Sequence, residues 1–367
     1  MKKHIYFLDS LRGIAAVTVV LAHFAETYST NPIFKELFEP LGRSAVILFF
    51  VLSGIALSLS LEKMNELRFR TYFSYLIKRF CRIYIPFFVI ILLAEVIFAI
   101  LQPEGISGLS AWFNNVGSRY NDMHTVVSNL LMLGQDVDKI DPVIWSLIIE
   151  LRISIIFPVL YIFVKRNNIY VSMVALFASF FIGLALLMLL NSKLLIGATV
   201  FNVGFFIAGI LLSLHWQNIM AFSARVKIFL LSLAIILYLH VSIFNLLGVT
   251  QKQAISDVVI GVACVTILLL CYQTERAQKY LENKVFLWLG KISFSVYLVH
   301  CVVFIPAIYI LTSFGVSIGF IQLISVPFIL GVATIYYQLI EKQSIHIGRY
   351  LSNNLKSGKE EYVVHNG

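Results

Sequence analysis

Ten stretches of the chain are continuously apolar, and each is close to the ~20 residues that a bilayer demands of a helix. They fall at 11–27, 43–61, 84–102, 143–164, 169–190, 196–214, 226–244, 254–272, 288–311 and 318–340. Polar and apolar residues do not alternate within them, which argues against barrel strands and for helices. The expectation is an all-α integral membrane protein with about ten transmembrane helices. Residues 1–350 form its membrane body, and 351–367 form a short polar tail. Two connections, 62–84 and 102–142, are longer than the rest. Within the second, 123–133 is apolar enough for a short interfacial or re-entrant helix.

Composition agrees with this pattern. The chain is 59% hydrophobic and 13% charged, against about a quarter charged in soluble domains. Its mean hydropathy is +0.89. The distribution of charge sets an orientation. With a cytoplasmic N-terminus, twenty-one of the 28 Lys and Arg fall inside, and Lys35, Arg43, Arg119, Lys139, Lys193 and Lys252 fall outside. The remaining one, Arg152, lies within a span. That bias follows the positive-inside rule and places both termini in the cytoplasm. The net charge of +9 is thus a topological signal, and no nucleic-acid partner is expected. Lys2 and Lys3 precede an apolar run as in a signal peptide, but Asp9 and Arg12 interrupt it and no small-x-small site follows. The segment is expected to stay as the first helix. Cys81, Cys264, Cys271 and Cys301 have no paired or CxxC spacing, so neither a disulfide framework nor a metal site is expected.

Polar residues inside apolar spans are costly and usually face a cavity or a pathway. Arg12 and His23 are eleven residues apart, which returns to within roughly 20° of one helix face and climbs about 16 Å. A cation near one membrane surface therefore shares a face with a titratable ring near mid-bilayer. In the fourth span, Trp145, Ser146, Glu150 and Arg152 follow Pro142, and Glu150 lies roughly 10 Å in from the outer end. Its carboxylate either pairs with a cation from another helix or stays protonated; a structural Glu–Arg clamp fits equally well. Arg79 and Arg82 share a helical face in the basic loop. Two guanidiniums aimed alike suit phosphate oxygens, and the same loop suits anionic lipid headgroups. His300 lies one turn from Tyr297, a pair that more often bonds a neighbouring helix than performs chemistry. Ser53-Gly54 allows close helix approach or an opening beside a ligand. Trp112, Phe113, Tyr120 and His124 with Asp122, Asp136, Asp138 and Asp141 suit either a sugar or a solvated loop.

In order along the chain stand Leu8-Asp9-Ser10-Leu11-Arg12-Gly13-Ile14-Ala15 with His23, Phe49-Phe50-Val51-Leu52-Ser53-Gly54, and Lys78-Arg79-Phe80-Cys81-Arg82. Trp145-Ser146-Leu147 with Glu150 and Ile292-Ser293-Phe294-Ser295-Val296-Tyr297-Leu298-Val299-His300 complete the set. This series resembles the membrane acyltransferase-3 family, with Phe294 standing where relatives often have Tyr. The resemblance implies a bacterial cytoplasmic-membrane enzyme moving an acyl group, usually acetyl, from cytoplasmic acyl-CoA to a hydroxyl of a glycan or lipid-linked glycan. It implies that His23 is catalytic and that Arg79 and Arg82 bind acetyl-CoA; beside it, Glu150 is expected to share in the catalysis and Arg12 in holding acetyl-CoA. Asp9, Ser53, Trp145, Ser146, Tyr297 and His300 would contact substrate or support those residues, and the family pattern assigns no role to Arg152. His23 would act as general base or carry the acyl group briefly. The alternative is a secondary transporter or exporter, which uses the same intramembrane residue types. It often shows internal repeats, and none is evident between 1–170 and 171–340.

Overall fold

The computed structural model describes residues 5–28, 32–116, 123–135, 137–190 and 195–357. Lys2, Lys3, Arg119, Tyr120, Asp122, Asp136 and Lys193, named above, lie outside them. No strand occurs among the described residues, beyond one isolated bridge between Tyr28 and Leu109. Ten helices among the described residues are long and apolar enough to cross a membrane. With no water in hydrocarbon, each must bond its own backbone internally.

The spanning helices are α1 (Tyr6–Glu26), α2 (Pro32–Leu61), α3 (Phe69–Leu101), α6 (Ile144–Arg166), α7 (Ile169–Leu190), α8 (Ile196–His215), α9 (Ala224–Leu246), α10 (Gln253–Tyr272), α12 (Lys284–Ser313) and α13 (Ile318–Tyr336). Short helices α4 (Ala111–Asn115) and α5 (Met123–Leu130) occupy the long loop before α6, and α11 (Glu275–Leu281) precedes α12. A π-helical turn at Tyr337–Glu341 joins α13 to the amphipathic α14 (Lys342–Ser357). Helix therefore runs past residue 350, where the sequence pattern places the start of a tail.

The centre is built from α1, α2, α8 and α12, while α9 is 11% buried along its apolar window against 72% for α2. Small residues permit the tightest crossings, as expected where lipid supplies no hydrophobic drive between helices. A Cβ on Gly13 of α1 would sit 2.6 Å from the Gly290 backbone nitrogen of α12, and one on Gly54 of α2 would sit 2.5 Å from the Phe206 carbonyl of α8. At Ser53-Gly54, Gly54 makes the close helix approach read from sequence, and Ser53 donates to Glu150.

Helices α2 and α3 start well before their apolar windows. Hydrophobicity marks where a helix enters hydrocarbon, whereas backbone bonding continues through charged turns. So α2 carries Lys35, Glu39 and Pro40, and α3 carries Lys78, Arg79 and Arg82.

Candidate functional site

Two cavities of about 420 and 410 Å³ lie at opposite ends of the bundle and meet near its middle. The first is lined by the N-terminal parts of α1, α3, α6 and α12, the C-terminal half of α2, and α14. The second is lined by the C-terminal ends of α1 and α9 and the N-terminal parts of α2, α6 and α10. Val46 and Tyr297 line both.

The first cavity is basic. Arg12, Lys78, Arg79, Arg82 and Arg349 line it, with Glu150 as its carboxylate. Arg79 Nη2 donates to Glu150 Oε1 at 2.8 Å and to Ser154 Oγ at 3.1 Å. Ser53 Oγ donates to the same Glu150 oxygen at 3.2 Å. Arg12 is held between Asp9 Oδ1 (3.1 Å) and the Leu52 carbonyl (3.3 Å). The helical phase that puts Arg79 and Arg82 on one face brings both into this cavity, beside Arg12 from another helix. Arg349, which the sequence reading did not single out, completes the set from α14. Its signal was the amphipathic period of α14.

Glu150 therefore sits among the guanidiniums, paired across helices as one sequence alternative required. It does not touch His23. The carboxylate on His23 is Glu26, one turn further along α1: Glu26 Oε2 lies 2.6 Å from His23 Nδ1. The i,i+3 spacing could have revealed it. His23 lies between two rings, with Trp112 stacked at 5.0 Å and 6° and His300 at 5.3 Å and 26°. Trp112 reaches α1 because the loop folds back over it, with Ser110 N donating to the Thr27 carbonyl at 3.1 Å. His300 is buried, its Nδ1 3.1 Å from the Val296 carbonyl, and Tyr297 lies 6.1 Å from its ring. Tyr297 OH and Ser146 Oγ share a hydrogen bond of 2.6 Å. Rings of Tyr297, His300 and His23 thus lead from the wall between the cavities to the second one.

The second cavity is polar. Glu26, Glu39, Arg43, Trp145 and Asp257 line it beside His23. Arg43 forms a bidentate pair with Asp257, at 2.6 and 2.5 Å, and stands over the Trp145 ring at 5.9 Å. Sequence offered no sign of this pair, whose members are 214 residues apart. Arg152 faces elsewhere, donating to the Met132 and Leu133 carbonyls at 3.3 and 3.0 Å. It ties the long loop to α6. Phe113 packs on Tyr309, and Asp141 is buried, so neither of these loop residues forms an exposed sugar surface.

Ligating atoms of His23, His300 and Cys301 lie within 4.8 Å of one another. The two imidazoles are stacked, however, with lone pairs in nearly parallel planes. That is a poor match to the convergent ligands that zinc requires.

A family model described as an acyltransferase domain matches residues 5–337. The chain therefore belongs to the acyltransferase-3 family of membrane proteins. No curated protein and no solved structure matches it.

Proposed function

We propose that this acyltransferase carries an acyl group, acetyl in the simplest case, from cytoplasmic acyl-CoA to a hydroxyl of a glycan or lipid-linked glycan across a bacterial cytoplasmic membrane. The observation that carries this reading is the pairing of two unlike cavities that share a wall at Val46 and Tyr297. Five cationic side chains at one end suit the phosphates of CoA, which Arg grips through its planar fork. The excess of Lys and Arg in the same set of loops supports a cytoplasmic placement for that end. A pantetheine arm entering there would run along α1 and α12, bringing the thioester past Tyr297.

His23 is the base in this scheme. Glu26 holds Nδ1 as a carboxylate orients a catalytic imidazole, leaving Nε2 to take a proton. The acceptor hydroxyl loses its proton to His23 as its oxygen attacks the thioester carbon. The new C–O bond forms, the C–S bond breaks, and the proton passes on to the CoA sulfur. Arg79 and Ser53 hold the Glu150 carboxylate, which gives Glu150 the role of fixing the arginine fork rather than touching the acceptor.

Purified protein in detergent, given labelled acetyl-CoA and membrane glycan, tests this assignment. His23→Ala is expected to lose transfer by at least about 100-fold, the lower range for a general base, while still binding acetyl-CoA. Glu26→Gln should lower the rate at unchanged donor affinity. Full transfer by His23→Ala would remove His23 from the chemistry.

A further inference from the structure

We infer that the second cavity selects an uncharged sugar residue, a hexose or N-acetylhexosamine, and rejects sugars that carry a carboxylate. The inference rests on the acyl-transfer reading above and concerns which acceptor that site admits.

Charge is the first ground. Three carboxylates, Glu26, Glu39 and Asp257, line the cavity against one guanidinium, Arg43, while the Lys35 ammonium, 3.8 Å from Glu39, is not part of the lining. A single cation could still recruit an anion if its nitrogens were open, but each nitrogen of Arg43 already has a partner. Nε and Nη2 donate to the two Asp257 oxygens at 2.6 and 2.5 Å. With the Gln253 amide turned so that its oxygen meets donors, Nη1 donates to it at 2.8 Å. The guanidinium also covers Trp145. A uronic or sialic acid entering here would meet surplus negative charge in a partly dehydrated space, where such repulsion is only weakly screened.

The second ground is the lining that remains. Trp145 adds apolar ring surface to the lining beside the guanidinium, while amides and hydroxyls offer donors and acceptors. Gln251 Oε1 accepts from Ser256 Oγ at 3.0 Å. Its Nε2 is buried and has no partner among the described residues. A buried amide donor left unpaired is costly, and a sugar hydroxyl or acetamido carbonyl would satisfy it. His23 stands at the edge of the same space, within reach of an adjacent hydroxyl.

Saturation-transfer NMR on the full-length protein in a sugar-free detergent tests this directly. The probes are methyl β-glucopyranoside and methyl β-glucuronide, which differ only in CH2OH against COO−. The glucoside is expected to bind about tenfold more tightly, equivalent to about 1.4 kcal/mol. Glu39→Gln should narrow that gap several-fold, because it removes one of the three carboxylates. On the unmodified protein, raising salt from about 0.05 to 0.5 M should narrow it too. Equal binding, preference for the glucuronide, or no glucoside binding would overturn the inference. Acetyl-CoA binding measured on the same sample separates the two levels. Its absence alongside the expected sugar preference would count against the donor reading alone.

Discussion

Asp141 shows how far a residue's surroundings can depart from its sequence context. It stands in a loop beside other acids, yet it is buried just before α6. Its Oδ1 accepts only a long 3.4 Å hydrogen bond from Val143 N, and Oδ2 has no partner among the described residues. Burial pushes its carboxyl up to about 8. A folded-state value above the unfolded one favours the protonated fold, so stability is greatest below about pH 4 and falls as pH rises towards 8. Asp141→Asn should flatten that slope and raise the melting temperature at pH 8. Melting curves in detergent from pH 5 to 8.5 check this; parallel curves for both proteins would contradict it. Single residues divide sharply in legibility. The shared face of Arg12 and His23 follows from helical phase alone, as does that of Arg79 with Arg82. Glu26 on His23 was within reach of the same reasoning. Arg43 with Asp257, Trp112 over His23, and Arg152 on the loop carbonyls depend on which helices meet, and no local pattern encodes that.

The elements were legible in number and kind, because ten apolar runs leave few other solutions in a bilayer. Their ends were less so: α2 and α3 extend into charged sequence, and α13 passes through a π turn into α14. A π turn is a frequent mark of a functional site, and here Glu341 in that turn accepts from Ser295 Oγ at 2.6 Å. The crossing of α1 on α12 matters most, since α1 carries Arg12 and His23 while α12 carries Tyr297 and His300. Gly13 and Gly290 fix that contact. Gly13→Val would press a side chain into the α12 backbone, with the Leu289 carbonyl carbon 2.7 Å from the new Cβ. A loss of about 1–3 kcal/mol is expected from such overpacking, together with loss of transfer as the rings separate. Gly331→Ala, where a Cβ meets nothing within 4 Å, should match the unmodified protein. If Gly13→Val melted and turned over normally, the crossing would not set the site.

Across the whole molecule, two chemistries are kept apart in two cavities that share lining residues near the middle of the bundle. A basic cavity faces one way, a polar cavity with excess carboxylate faces the other, and Val46 with Tyr297 stands between them. The same asymmetry is written in the loops as an excess of Lys and Arg on one side. A carrier would need to switch which end is open, whereas a transferase needs only the acyl arm to pass. The most direct test of that division is equilibrium binding of acetyl-CoA to the purified protein, with free CoA as competitor. The same titration is run on an Arg79→Ala/Arg82→Ala variant whose melting temperature shows that it is folded. Saturable, CoA-competed binding that falls at least about tenfold (~1.4 kcal/mol) in the variant is the predicted result. Absent binding, or binding that the folded variant keeps in full, would contradict a donor site in the basic cavity.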